Sequence, residues 1–227
     1  MLHENIKKFD FARPDPTFFR EQPVTHQEIL AWARTCPDGT ILDMAAGFGI
    51  EALALRNNGF EVIAQEPDPY YRYWSKTPLV EGRAESLFQY SPHSLSGAYL
   101  KDSLIFLSKQ QRVDMFRGLR HSLKPNGRVL IISQYSDYFI ASGQFGAWEV
   151  KTGRYSDFQS ILAYKLEQQP QQEIYIEYAA NLPETISLAT DAGFSIVSSR
   201  EFSKKDQISI ENPWHSSPGF IISLELK

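Results

Sequence analysis

The chain is short of several things, and each shortage narrows what it does. It has one cysteine, Cys36, in 227 residues. A single thiol makes no internal disulfide and no cysteine-based metal site, and it fits a reducing compartment. Positive charge is not in surplus: 23 Lys and Arg stand against 27 Asp and Glu, a net charge of −4. The general basic field that grips nucleic acid is therefore missing. No run approaches the ~20 apolar residues of a membrane span. The N-terminal string MLHENIKKFDFARPDP carries charges where a signal peptide needs an apolar stretch. There is no G-x-x-x-x-G-K-[ST] phosphate loop, no H-E-x-x-H zinc motif, no internal repeat and no low-complexity tract. The expectation is a soluble, cytoplasmic protein with no metal site, no membrane association and no nucleic-acid partner.

What is present is ordinary for a folded enzyme-sized domain. The hydrophobic fraction is 42% and the charged fraction 22%, which disfavours disordered, collagen-like and coiled-coil classes. A chain of this length can bury one sizeable core. The reading is a single domain over 1–227, with 1–39 as a helical N-terminal cover and 40–133 as a ligand-binding core. Residues 134–181 read as a substrate-covering insertion, and 182–227 as a final helix and strand pair. The stretch 134–227 holds 7 basic and 12 acidic side chains, so the part expected to cover a substrate is acidic.

Strand and helix signals alternate between residues 40 and 133. Residues 40–44 form a short apolar run around Asp43, followed by the small-residue loop 45–49 and a helical stretch over 51–58 that Gly59 stops. A second strand spans 61–65, with Glu66 at its end. Asp68 and Pro69 look like a helix cap with proline in the first turn. A weaker strand is expected at 79–81 and another from 97 to 100. Val113, Phe116, Leu119 and Leu123 recur at helical spacing, Pro125, Asn126 and Gly127 break the pattern, and 128–133 is the clearest strand. Such alternation marks a mostly parallel sheet with helices on both faces. Further on, 173–178 alternates as a strand would, 183–191 reads as a helix stopped by Gly193, and 194–202 and 220–226 read as the last two strands.

The loop at 45–49 is the sharpest feature. Small residues there let a ligand approach the backbone closely, and amides at the start of the next helix donate hydrogen bonds. Glu66 follows Gly47 by 19 positions at the end of the next strand, where a carboxylate accepts both hydroxyls of a ribose. Gly47, Gly49 and Ala52 also match the G-x-G-x-x-A dinucleotide pattern, which keeps a nicotinamide-dependent oxidoreductase as a rival.

These residues resemble the class I S-adenosylmethionine-dependent methyltransferases. ILDMAAGFGIEAL is similar to their first motif, with Asp43 as the motif acid and Gly47 and Gly49 as its second and third glycines. Ala45 stands in place of the first glycine, beside Ala46. VIAQEPD resembles the second motif, with Glu66 on the ribose and Pro67 beside the adenine. EGRAESLF resembles the third, with Arg83 where the family often has an acid, and Ala84 and Glu85 as adenine contacts. GAYLKDSLIFL is similar to the fourth strand and its exit, placing Lys101 and Asp102 at the cofactor edge. LRHSLKPNGRVLII is similar to the helix, turn and fifth strand of many members.

The resemblance implies a Rossmann-like methyltransferase fold: an α/β architecture with a seven-stranded, mostly parallel sheet, its last strand antiparallel, and helices on both faces. It implies S-adenosylmethionine as cofactor and S-adenosylhomocysteine as product. The implied reaction is methyl transfer to a small molecule, with a protein acceptor as second choice. Asp102 is the candidate catalytic base. Ala45 and Arg83 depart from the family pattern and keep open a non-catalytic S-adenosylmethionine-binding protein. The amine-methylating signature [DNS]-P-P-[YFW] is missing; the nearest string, Glu66-Pro67-Asp68-Pro69-Tyr70, lies after the second strand.

Other candidates carry structural readings. His121 is expected to face solvent, His93 to lie in a polar loop, and His215, beside Trp214, to belong to a turn. Tyr70, Tyr71, Tyr73 and Trp74 are expected to pack on and cover the sheet. Tyr135, Tyr138, Phe139, Phe145 and Trp148 are candidates for an acceptor pocket. Alanine in place of Tyr135, Tyr138 or Trp148 is expected to leave cofactor affinity unchanged and to raise KM for the acceptor or lower kcat. Steady-state kinetics beside calorimetry checks this, and a loss of cofactor affinity would reassign the segment.

Overall fold

A computed structural model of the chain describes residues 23–75, 77–134, 180–202 and 219–227. The expectations for 1–22, for the aromatic cluster and strand between 135 and 179, and for Trp214 and His215 lie outside these residues. The elements are α1 (Pro23–Ala33), β1 (Thr40–Met44), α2 (Ile50–Asn57), β2 (Val62–Gln65), α3 (Pro69–Trp74), β3 (Leu95–Lys101), α4 (Lys109–Ser122), β4 (Leu123–Gln134), α5 (Leu182–Asp191), β5 (Phe194–Phe202) and β6 (Gly219–Leu226). Among them no helix is long and apolar enough to cross a membrane.

The strands form one sheet in the order β2-β1-β3-β4-β6-β5. β1 pairs in parallel with both β2 and β3, and β3 with β4. β6 runs antiparallel between β4 and β5. The resemblance implies seven strands; six form among the described residues, and the expected strand at 79–81 is a single parallel bridge between Gln65 and Val80. Val80 donates to Ala64 O and accepts from Glu66 N, both at 2.9 Å. The ladder cannot run back past it, because Pro78 has no amide hydrogen to donate.

Side chains of successive strand residues point to opposite faces, and the core divides accordingly. Leu42, Met44, Ala98, Leu100, Val129 and Ile131 join Met115, Phe116 and Leu119 of α4 and Ala189 of α5 in one buried cluster. Ile41, Tyr99, Leu130 and Ile132 join Ile29, Trp32 and Ala33 of α1 and Ala52 and Leu55 of α2 in the other. Helices thus cover both faces, as the alternating pattern predicts. β5 lies at the sheet edge and its middle is exposed.

Two local devices set the frame. α4 starts at a capping box: Ser108 Oγ accepts from Gln111 N, and Gln111 Oε1 accepts from Ser108 N. The sequence reading starts the fifth strand of the family pattern at Arg128, but β4 begins at Leu123, paired with Leu95. Its register then jumps to Arg128 opposite Gly97, so residues 124–127 bulge out, with Asn126 at a φ of 62°. His93, placed in a loop as expected, brings Nδ1 within 2.9 Å of Leu123 O at this start.

Gly118 lies on the buried side of α4, against the short 3-10 turn Leu87–Gln89. A Cβ there would come within 2.7 Å of Leu87 Cβ. Alanine normally favours a helix over glycine by about 1 kcal/mol. Here overpacking, at about 1–3 kcal/mol, outweighs that gain. Gly118→Ala is expected to lower the unfolding free energy, measured by urea denaturation, and a more stable variant would contradict this packing.

Candidate functional site

The carboxyl ends of β1, β2 and β3 open onto a cavity of about 420 Å³. It lies where the chain switches from building the sheet toward β2 to building it toward β3, the place where open α/β sheets take ligands. Asp43, Ala45, Ala46, Gly47, Glu66, Pro67, Arg83, Ala84, Glu85, Lys101 and Asp102 all line it. These eleven cofactor and catalytic candidates thus surround one space, while the acceptor-pocket candidates Tyr135, Tyr138, Phe139, Phe145 and Trp148 lie outside the described residues.

The loop after β1 shapes one wall. Ala46 N donates to Gln65 O and Gly49 N to Ala46 O, each at 2.8 Å. Ala45, Gly47 and Gly49 have φ values of 57°, 54° and 71°. The two glycines serve different needs. A side chain at Gly49 would strike Thr77 and Leu79, so packing demands glycine there. A Cβ at Gly47 would meet nothing within 4 Å, so Gly47 leaves open space beside the cavity. Ala45 holds a left-handed conformation in spite of its methyl group, at a cost of about 1–2 kcal/mol. Gly49 also caps α2 and offers no side chain to that helix's first amides.

Glu66 ties this loop to the next. Its Oε2 accepts from Gly47 N at 2.8 Å and its Oε1 from Asp68 N at 2.9 Å. The residue is 5% exposed. Burial pushes its carboxyl above the usual range, and the two amides pull back only part of the way. Arg72 reinforces the turn by donating to the carbonyls of Glu66 and Pro67 at 2.7 and 2.8 Å.

Asp43 and Tyr99 lie deeper, 3% and 1% exposed. Desolvation raises the Asp43 carboxyl well above its ordinary range. The nearby Tyr99 hydroxyl opposes this, and Glu51 adds to it. Neither Asp43 Oδ2 nor the Tyr99 hydroxyl completes a well-formed hydrogen bond among the described residues. Lys101 is ion-paired to Glu51 of α2. Asp102 takes a φ of 53° as the chain leaves β3, and its amide donates to Ile132 O at 2.9 Å.

The third-motif residues form the opposite wall. Ala84 is buried. Glu85 accepts from Gln111 Nε2 at 3.0 Å and lies 3.6 Å from Arg83. The Arg83 side chain is 60% exposed, so the departure at this position puts a cation at the rim.

Sequence reasoning missed Glu51, Tyr99, Phe48, Tyr71 and Gln111, which also line the cavity. Tyr99 had a readable signal: it precedes Lys101 by two and so shares its face of β3. Two structural readings need correction. Tyr73 and Trp74 do not cover the sheet; they are 79% and 49% exposed and meet each other edge to face. α3 has only six residues, too few to turn four aromatics inward. Its Tyr71 instead packs edge-on against Phe48, ring centroids 4.8 Å apart. His121 is half-buried, its ring 5.2 Å from that of Phe88, rather than freely solvated.

The fold is shared with solved structures of low sequence identity. A SAM-dependent methyltransferase from Methanosarcina mazei superposes with a TM-score of 0.62 at 16% identity, over 86% of this chain and 96% of that one. An S-adenosylmethionine-dependent methyltransferase from Mesorhizobium loti gives 0.60 at 16%, over 88% and 96%. Geranyl diphosphate C-methyltransferase from Streptomyces coelicolor, solved with Mg2+, geranyl diphosphate and S-adenosyl-L-homocysteine, gives 0.60 at 9%, over 90% and 79%. No protein-family model matches the chain, and no curated protein matches its sequence.

A buried acid whose folded pKa is raised stabilises the fold below its unfolded pKa and loses that contribution as pH rises toward the folded value. Asp43→Asn removes the charge and hence the loss. The variant is expected to match the parent near pH 4 and to melt higher than the parent at pH 7 to 8, the gap widening with pH. Thermal unfolding across that range checks the sign. A parent that melts higher at pH 8 would show that the Asp43 carboxylate is satisfied in the fold.

Proposed function

We propose that the chain is an S-adenosylmethionine-dependent methyltransferase acting on a small molecule in the cytoplasm. The observation that carries the reading is Glu66. A nearly buried carboxylate, fixed by the amides of two different loops, lines the cavity at the end of β2. This is where a ribose is held in open α/β sheets.

The lining suits such a cofactor. The space beside Gly47 admits a ligand against the backbone, and a volume of about 420 Å³ is that of a small-ligand pocket. In this reading Glu66 binds the ribose hydroxyls, and Pro67, Ala84 and Glu85 flank the adenine. The loop 45–47, with Asp43 and Lys101, borders the methionine part. When bound, the cofactor supplies a methyl group made electrophilic by its sulfonium. The chain's own residues hold the two partners in line, which is worth about 7–11 kcal/mol of barrier in well-oriented systems. They also exclude water. Asp102 lines the same space and takes the proton from a hydroxyl or carbon acceptor, a step that an amine or thiolate acceptor needs less.

The nicotinamide reading has less support. Doubly wound dinucleotide sheets are mostly parallel through their last strand, whereas β6 is inserted antiparallel between β4 and β5. The net charge of −4 supports a small acceptor over a nucleic acid.

Calorimetry with S-adenosylhomocysteine tests the proposal. Glu66→Ala removes charge-assisted hydrogen bonds worth about 1.5–3 kcal/mol each, so affinity is expected to fall at least tenfold. Gly47→Val is expected to abolish binding while circular dichroism stays close to the parent's. Unchanged affinity in a folded Glu66→Ala variant, or binding of NAD in place of S-adenosylhomocysteine, would overturn the reading.

A further inference from the structure

Besides the solvated Arg83 at the rim, one enclosed cation, Lys101, sits among the acids of the cavity. Lys101 closes β3 with its side chain 17% exposed and ion-paired to Glu51. Burial alone would weaken its hold on the proton. The Glu51 carboxylate outweighs that effect, and Asp102 and Asp43 act on the same ammonium through space, so the lysine is held more firmly protonated than usual. All four side chains line the cavity. Asp43 lies at the base of the group, 3% exposed and next to the Tyr99 hydroxyl. Glu51 and Asp102 around one ammonium leave the cluster negative even with Asp43 protonated, and a cation of the protein's own is already in it.

We propose that Lys101 is a resident counter-charge that limits how strongly the cavity prefers a cationic ligand over a neutral one of similar shape. The inference rests on the function proposed above, under which the two ligands are S-adenosylmethionine and S-adenosylhomocysteine. At neutral pH the first carries one more positive charge than the second, on its sulfonium. The surrounding carboxylates favour the charged form. Lys101 opposes it, and Glu51 offsets Lys101. The pair thus sets the balance between holding the substrate form of the cofactor and releasing it. Lys101 acts here as a specificity-determining residue, with no part in bond making.

The charges make the test directional. Lys101→Met leaves the cluster one unit more negative, Glu51→Gln one unit less, and the double variant restores the sum. Calorimetry with each ligand gives the ratio of the two dissociation constants for every protein. Lys101→Met is expected to shift that ratio about fivefold or more toward S-adenosylmethionine, the scale of one unit charge across a partly solvated site. Glu51→Gln is expected to shift it about as far the other way, and the double variant to return near the parent. A merely structural role would weaken both ligands alike and leave the ratio fixed. If Lys101→Met does not fold, Glu51→Gln decides by the same ratio. A constant ratio in proteins that bind both ligands overturns the proposal alone. A parent protein that binds neither ligand overturns the functional reading and the proposal with it.

Discussion

The hydrogen bond from Gly47 N to Glu66 joins residues 19 apart in sequence and links the loops after β1 and β2. Much of the site depends on this link. The parallel pairing of Asp43 with Ala64 and Met44 with Gln65 brings the two strand ends side by side. The turn after β2 then points a carboxylate back at the first loop. The second oxygen of that carboxylate is held by Asp68 N, and Arg72 braces the turn through two carbonyls. A carboxylate fixed at both oxygens loses little further freedom when a ligand arrives, which is the general advantage of preorganisation.

Around that link the protein carries local costs, of a kind that also occurs elsewhere, at Asn126 and His93 for example. Ala45 and Asp102 both hold left-handed backbone conformations without being glycine, and both line the cavity. Asp43 is buried, and its Oδ2 completes no hydrogen bond among the described residues. Each arrangement costs of order 1–3 kcal/mol in general. Elsewhere the chain uses standard means: a capping box on α4, an Asn181 side chain accepting from Glu184 N at the start of α5, and an Arg112–Glu184 ion pair at 2.8 Å tying those two helices together.

Much of this was legible in the amino-acid sequence, for identifiable reasons. Buried parallel strands are short apolar runs, so β1, β3 and β4 announce themselves. Small residues after a strand mark a turn that must leave room, and an acid one strand later marks its neighbour. Strand reasoning overreached at 79–81, where pairing rests on Val80 alone, between Pro78 and Gly82, and leaves no periodic trace. α3 misled because a count of aromatics says nothing about which way a six-residue helix turns them. Glu51 was missed because a glutamate in a helix's first turn is ordinary; only the approach of Lys101 from β3, 50 residues later, gives it a partner.

The cavity's chemistry is decided by a balance of charges more than by any single residue. Arg83 is mostly solvated and paired loosely with Glu85, so solvent screens it and it adds little to the field inside. Lys101 is enclosed, and its charge acts at short range. Moving a positive charge from the position of Arg83 to that of Lys101 is therefore not a neutral exchange, even though the lining's formal sum is the same. A sequence comparison that counts charged residues would treat the two as equal. Burial separates them: the exposed guanidinium leaves the lining's acids free to attract a cation, while the enclosed ammonium competes with it.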